Sequence, residues 1–155
     1  MFSNSSTVLA TAFGFNAVFF EDLTFSLDRE RTVKLLNEIV KLRKKGINLK
    51  YGCQTRYDYL DDELINLMKK ANFVYLYMAI ESLDENVLQR INKCITAKQI
   101  KKMLEKINKS GIKQGVTIVR GFLGDTKESF EKTVNEVYEL KPAAVFCEMA
   151  KDYQK

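Results

Sequence analysis

The chain has 155 residues with one proline and seven glycines, which leaves little room for linkers and points to a single domain over 1–155. Hydrophobic residues make up 46% and charged residues 29%, the balance of a soluble globular chain that buries roughly 70% of its extended surface. The net charge is +5, but basic residues such as Arg43, Lys44, Lys69 and Lys70 group near helix ends with no interleaved aromatics, so nucleic acid is not an expected partner.

The first twenty residues carry no charge. They lack a basic start and a clean cleavage site, and Gly14 and Asn16 interrupt an apolar run too short to span a bilayer. A weakly structured or helical lead-in over 1–15 is expected, with no membrane partner. Asn16–Phe20 reads as a first strand ending at Glu21-Asp22. Asp28 then caps a helix with Val33, Leu36, Ile39 and Val40 on one face, closed by Lys44-Lys45-Gly46. Ile47–Cys53 is the second strand and delivers Gln54, Thr55 and Arg56 at its end. Asp61 caps a helix carrying Leu64, Ile65, Leu67, Met68 and Ala71, which closes at Asn72.

Phe73–Ser82, FVYLYMAIES, follows as eight uncharged residues running into Glu81 and Ser82. Such a run suits a central strand buried on both faces of a parallel sheet. A short helical segment spans Asp84 to about Asn92. Thr96 and Gln99 form a capping-box pattern that opens a helix on Ile100, Met103, Leu104 and Ile107, stopped by Gly111. Ile112–Val119 is a fourth strand, running into Arg120-Gly121. Asp125 or Thr126 caps a last helix, Pro142 blocks its continuation, and Ala143–Cys147 is a fifth strand before a polar tail. Strict alternation of strand and helix predicts a parallel α/β sheet with right-handed crossovers, either doubly wound or part of a barrel. No GxGxxG or GxxxxGK[ST] pattern is present.

Parallel strands bring their carboxyl ends to one rim, where such folds place their chemistry. Glu21, Asp22, Arg56, Glu81, Ser82 and Arg120 would gather there. Glu81 and Arg56 on adjacent strands read either as a structural ion pair or as a ligand site; Asp22 reads as a site residue, a turn former or a solvated strand end. A lysine such as Lys93 most often lies at the surface. Cys53 and Cys147 suit strand cores and Cys94 a loop. The three cysteines make no CxxC or CxxxCxxC spacing and there is no histidine, so no metal site is expected from them. Their odd number, without a signal peptide, favours free thiols and a cytoplasmic protein.

Four segments in order carry a family resemblance: Val18–Phe25 (VFFEDLTF), Gln54–Asp58 (QTRYD), Ala79–Thr96 (AIES, then Val87-Leu88, Ile91-Asn92-Lys93 and Thr96) and Gly121–Ser129 (GFLGDTKES). Together they resemble the second-strand, third-strand, G-[IV]-E-S and G-L-P-G-E-T-x-E-S segments of radical S-adenosylmethionine enzymes, particularly the cobalamin-binding branch. The similarity covers about residues 16–148. It implies part of a (βα)6 partial TIM-like barrel with about five strands. It also implies that Glu21-Asp22 lie near the methionyl amino group, that Arg56, Glu81 and Lys93 contact the ribose and carboxylate of S-adenosylmethionine, and that Thr117 and Val119 line its adenine side. Ser82 belongs to the same candidate set.

The chain departs from the pattern at Ala79, Leu123 and Asp125, where the family has glycine, proline and glutamate. It also lacks the CxxxCxxC loop that holds the family's 4Fe-4S cluster, which follows a strand earlier than any matched here. The resemblance therefore implies a core fragment, truncated or split, inactive alone and dependent on a missing N-terminal segment or subunit for its cluster. The alternatives are a non-catalytic remnant and an unrelated α/β small-molecule-binding domain.

Overall fold

Side-chain caps set the helix starts. In the computed structural model, which describes residues 14–150, Asp28 accepts from the Arg31 amide at 3.0 Å to open α1 (Arg29–Lys44). Asp61 does the same for α2 (Asp62–Lys70), at 2.8 Å from the Leu64 amide. Asp84 opens the short α3 (Glu85–Arg90), and Thr96 with Gln99 forms a reciprocal capping box on α4 (Ala97–Ser110). Thr126 caps α5 (Lys127–Glu139), boxed with Ser129. Each such cap is worth about 1 kcal/mol. The stops follow the same logic: Gly46 and Gly111 have φ of +93° and +84°, and Asn72 reaches +66° after α2. Apart from Gly14 and Phe15, the expected lead-in lies outside the described residues.

The strands are β1 (Ala17–Phe20), β2 (Lys50–Gln54), β3 (Phe73–Glu81), β4 (Lys113–Arg120) and β5 (Ala144–Met149). β2 starts three residues later than the apolar pattern suggests because the Ile47 amide turns back to the Leu42 carbonyl at 3.2 Å, closing α1 instead of entering the sheet. All pairings are parallel, in the order β1-β2-β3-β4-β5. An order without reversal has no switch point, so each right-handed crossover lays its helix on the same face. That is the winding of a partial TIM-like barrel, and the sheet does not close.

One-sided helix cover corrects the expectation of a doubly buried central strand. Burial alternates along β3: Leu76, Met78 and Ile80 are fully buried against the helices, whereas Tyr75, Tyr77 and Ala79 are only half-buried on the concave face. Ile100, Leu104 and Ile107 of α4 belong to the same core. Phe20, Phe25, Tyr51 and Phe73 add a ring cluster with centroids 5.0 to 6.1 Å apart. Burying such a side chain stabilises by about 1.5–3 kcal/mol. Cys53 is buried in this core, but Cys147, also expected inside, is exposed, because β5 is an edge strand with no helix over it among the described residues.

Candidate functional site

The ends of β1, β2 and β3 are neighbours on one rim, which places Asp22, Arg56 and Glu81 on three successive strand ends. Glu81 has the least ordinary backbone of the three. Its φ is +64°, and the Ser82 amide donates across it to the Ile80 carbonyl at 2.8 Å, a γ-turn of the rarer, positive-φ kind. The register to β4 slips at the same point: Ala79 pairs with Thr117 but Glu81 with Ile118, so Ile80 is the extra residue of a bulge. A bulge re-aims the side chain that follows it, and a left-handed glutamate costs about 1–3 kcal/mol that the surrounding structure must offset.

The re-aimed carboxylate meets Lys93. The Lys93 ammonium donates to Glu81 Oε1 and to the Ala79 carbonyl, both at 3.0 Å. The two side chains are 21% and 18% exposed, so the pair is shielded but reachable. Lys93 therefore lies in the rim and not at the open surface, where sequence statistics would put it. Arg56 does not pair with Glu81; it holds Asp58 through two bonds of 3.0 and 2.7 Å and lies 5.4 Å over the Tyr59 ring. The hydrogen bond to Asp58 holds its guanidinium pKa above the ordinary arginine value. A neighbour two residues ahead wins because it closes a bidentate fork with almost no loop to order. Tyr57 and Asp58 line one pocket with Cys94 and Ile95, which brings the β2 end beside the Lys93 loop.

The other predicted residues are placed as follows. Glu21 is exposed, and Asp22 accepts from Arg31 at 3.1 Å. Ser82 is buried behind the rim, where its hydroxyl meets Thr133 of α5 at 3.3 Å and accepts from the Asp84 amide at 3.0 Å, a fastening role. Thr117 is buried on the concave face, hydrogen-bonded to the Tyr77 hydroxyl. Val119 follows it on β4, one-tenth exposed at most.

The concave floor itself went unread in the sequence. Phe19 leans over Gly52, Tyr75 leans over Gly115, and Tyr77 stands edge-on to Phe146 with centroids 5.4 Å apart. A Cβ at Gly115 would run into the Tyr75 hydroxyl, so this glycine is the seat of a ring. Two signals were available: Tyr75-x-Tyr77-x-Ala79 alternates against Leu76-x-Met78-x-Ile80, and Gly52 and Gly115 sit in the interiors of strands. The result is an aromatic, half-exposed trough that leads to a carboxylate–ammonium pair.

The chain belongs to the radical SAM superfamily: residues 8–137 match the family model described as "Radical SAM superfamily". Among curated proteins it is 23% identical over 128 residues to an uncharacterized methyltransferase of Pyrococcus horikoshii, covering 83% of this chain and 27% of that protein. It is 32% identical over 121 residues to the ribosomal protein uS12 methylthiotransferase RimO of Clostridioides difficile, covering 73% and 26%. Among solved structures, the radical S-adenosylmethionine methyltransferase TsrM of Kitasatospora setae, with cobalamin and a 4Fe-4S cluster bound, superposes with a TM-score of 0.81 at 18% identity, covering 91% of this chain and 29% of that one. The chain thus spans about a quarter of the length of the curated relatives it matches.

The family uses S-adenosylmethionine and a 4Fe-4S cluster, and the residues here suit the two groups unequally. A shielded carboxylate beside an ammonium, above an aromatic trough, suits a zwitterionic amino acid joined to a nucleoside. The cluster finds no match. Cys53 is buried in β2, Cys94 lies in the loop after α3, Cys147 lies on β5, and no three potential ligands gather among the described residues. No helix among them is long and apolar enough to cross a membrane.

Proposed function

We propose that this chain forms the S-adenosylmethionine-holding wall of a radical S-adenosylmethionine enzyme whose cluster ligands come from another segment or subunit. The observation that carries the reading is the strained, shielded Glu81 held by Lys93 at the carboxyl end of the central strand. Glu81 accepts two hydrogen bonds from the ribose diol, and Lys93 turns its ammonium toward the methionyl carboxylate. Asp22 receives the methionyl amino group, with Glu21 beside it. Arg56 contributes positive charge near the carboxylate, and Thr117 with Tyr77 lines the adenine side. Ser82 acts through position, fixing the γ-turn to α5. When bound, S-adenosylmethionine supplies a 5′-deoxyadenosyl group for radical chemistry on one-electron reduction. Free thiols at Cys53, Cys94 and Cys147 support a cytoplasmic setting.

Calorimetric titration of the chain with S-adenosylmethionine should give saturable heat. After anaerobic iron–sulfur reconstitution, the chain alone should produce no 5′-deoxyadenosine. Absence of saturable heat would favour a remnant that keeps the fold without the ligand; robust 5′-deoxyadenosine would contradict the missing-cluster reading.

A further inference from the structure

The grouping of basic residues at helix ends argued against a nucleic-acid partner on sequence grounds, but a singly wound parallel sheet changes its meaning. Helix ends and strand starts fall at the same end of such a sheet, so charges scattered along the chain become one surface. α1 finishes in Arg43, Lys44 and the capping Lys45; α2 finishes in Lys69 and Lys70; α4 has Lys109 in its last turn. β2 opens on Lys50, β4 opens on Lys113, and Lys141 precedes β5. None of these nine forms an ion pair among the described residues. The acids at this end include Glu139, which closes α5, Glu136 one turn earlier, which is taken by Lys101 at 2.6 Å, and Glu38, which is taken by Lys41 at 2.7 Å. At the opposite end Arg29, Arg31, Arg56 and Lys93 have carboxylate partners, whereas Arg90, Lys98 and Arg120 form no ion pair among the described residues. Helix dipoles account for cations in last turns but not for Lys50, Lys113 and Lys141, nor for the missing counter-charges.

The surface is concave at its centre. A groove of about 700 Å³ is lined by Arg43, Lys69 and Lys70, with the amides of Asn66 and Asn72 and the exposed Val74. Arg43 spends one N–H on the Lys70 carbonyl at 3.0 Å, which fixes the guanidinium at the groove edge. Two exposed rings flank this end: Phe15, 64% exposed, just ahead of β1, and Tyr138, 77% exposed, in the last turn of α5. The fold thus brings two aromatic rings to the same end of the sheet as the basic runs.

We propose that the end of the sheet opposite Glu81 is a docking surface for a single-stranded nucleic acid. The lysines neutralise its phosphates, the groove takes the backbone, and the flanking rings offer faces for bases. A flat bilayer would leave the concave centre unfilled, which favours a flexible chain over a membrane. The surface is separate from the S-adenosylmethionine rim, so either reading can fail alone.

The test is fluorescence anisotropy of the whole chain with labelled oligo-uridylate and oligo-thymidylate of about 12 nucleotides, a few times the smallest single-strand site sizes. Affinity should fall with salt with a log–log slope of about −2 to −3.5, three to five phosphates at roughly −0.7 each. The triple variant R43E/K69E/K70E should lose at least about tenfold, whereas K98E/K102E/K132E, the same charge change elsewhere, should lose less than about threefold. If the groove variant does not fold by circular dichroism, the exposed pair K44E/K45E reads the same loss. Saturable, salt-dependent binding to either oligonucleotide that the groove variant weakens supports the proposal. No binding, equal loss in both triple variants, or binding to phosphatidylserine vesicles alone overturns it.

Discussion

The two faces of β3 obey different rules. On the helix side Leu76, Met78 and Ile80 are sealed, and on the concave side Tyr75, Tyr77 and Ala79 stay half-open and lead to Glu81. The sealed face is built for cohesion, with apolar side chains in full contact. The open face accepts seated rings over glycines, a bulge and a left-handed acid, each of which costs stability. Strain collects where the ligand would lie, and the core opposite offsets it.

Mutations on the two faces should therefore separate stability from binding. The largest effect is expected from Leu76→Ala, which leaves a cavity in the sealed face and should cost about 2–5 kcal/mol by denaturant unfolding. On the open face, Gly115→Ala should cost about 1–3 kcal/mol by driving a methyl into the Tyr75 hydroxyl. In a Tyr75→Phe background the same change should cost less, because the next ring atom lies 2.9 Å away. Equal cost in both backgrounds would show that the ring is not what the glycine seats.

Smaller effects test the strain. Glu81→Gly and Glu81→Ala both remove the partner of Lys93, but only glycine accepts a φ of +64° freely. Glycine should therefore be the more stable of the two by about 1 kcal/mol. A pH profile gives a signal of similar size. Burial, then the charge of Asp22, pushes the Cys53 thiol well above its ordinary value. The unfolded thiol ionises first, so the Cys53 contribution to stability is constant below about pH 8.5 and falls as pH rises beyond it, by at most about 1.4 kcal/mol per unit. Cys53→Ala should flatten that fall between about pH 8.5 and 9.5, below the range of tyrosine ionisation.

The helices were legible because their signals are local. Asp28, Asp61, Thr96 with Gln99, and Gly111 each act within one turn of their own position. β3 was located correctly, but its second face was not, since whether a face is covered depends on where distant helices cross. Glu81 could be singled out from its place at a strand end, whereas Lys93 entered the candidate set only through the family resemblance and its pairing with Glu81 was not read. Lys93 is twelve residues away and reaches it through the turn of α3, while Arg56 is captured by Asp58. The charge pattern shows the same limit: lysine runs look like ordinary helix ends until the strand order gathers them.

The most direct test of the S-adenosylmethionine site is a side-by-side titration of the wild-type chain and Glu81→Gln with S-adenosylmethionine, with both unfolding midpoints measured. The account predicts saturable binding for the wild type and a loss of about tenfold or more in Glu81→Gln, one charge-assisted hydrogen-bonding group, with stability changed by no more than about 1 kcal/mol. Equal affinity in the two proteins would contradict it, because Glu81 would then be a structural acid at the mouth of the sheet and not the group that holds the ribose.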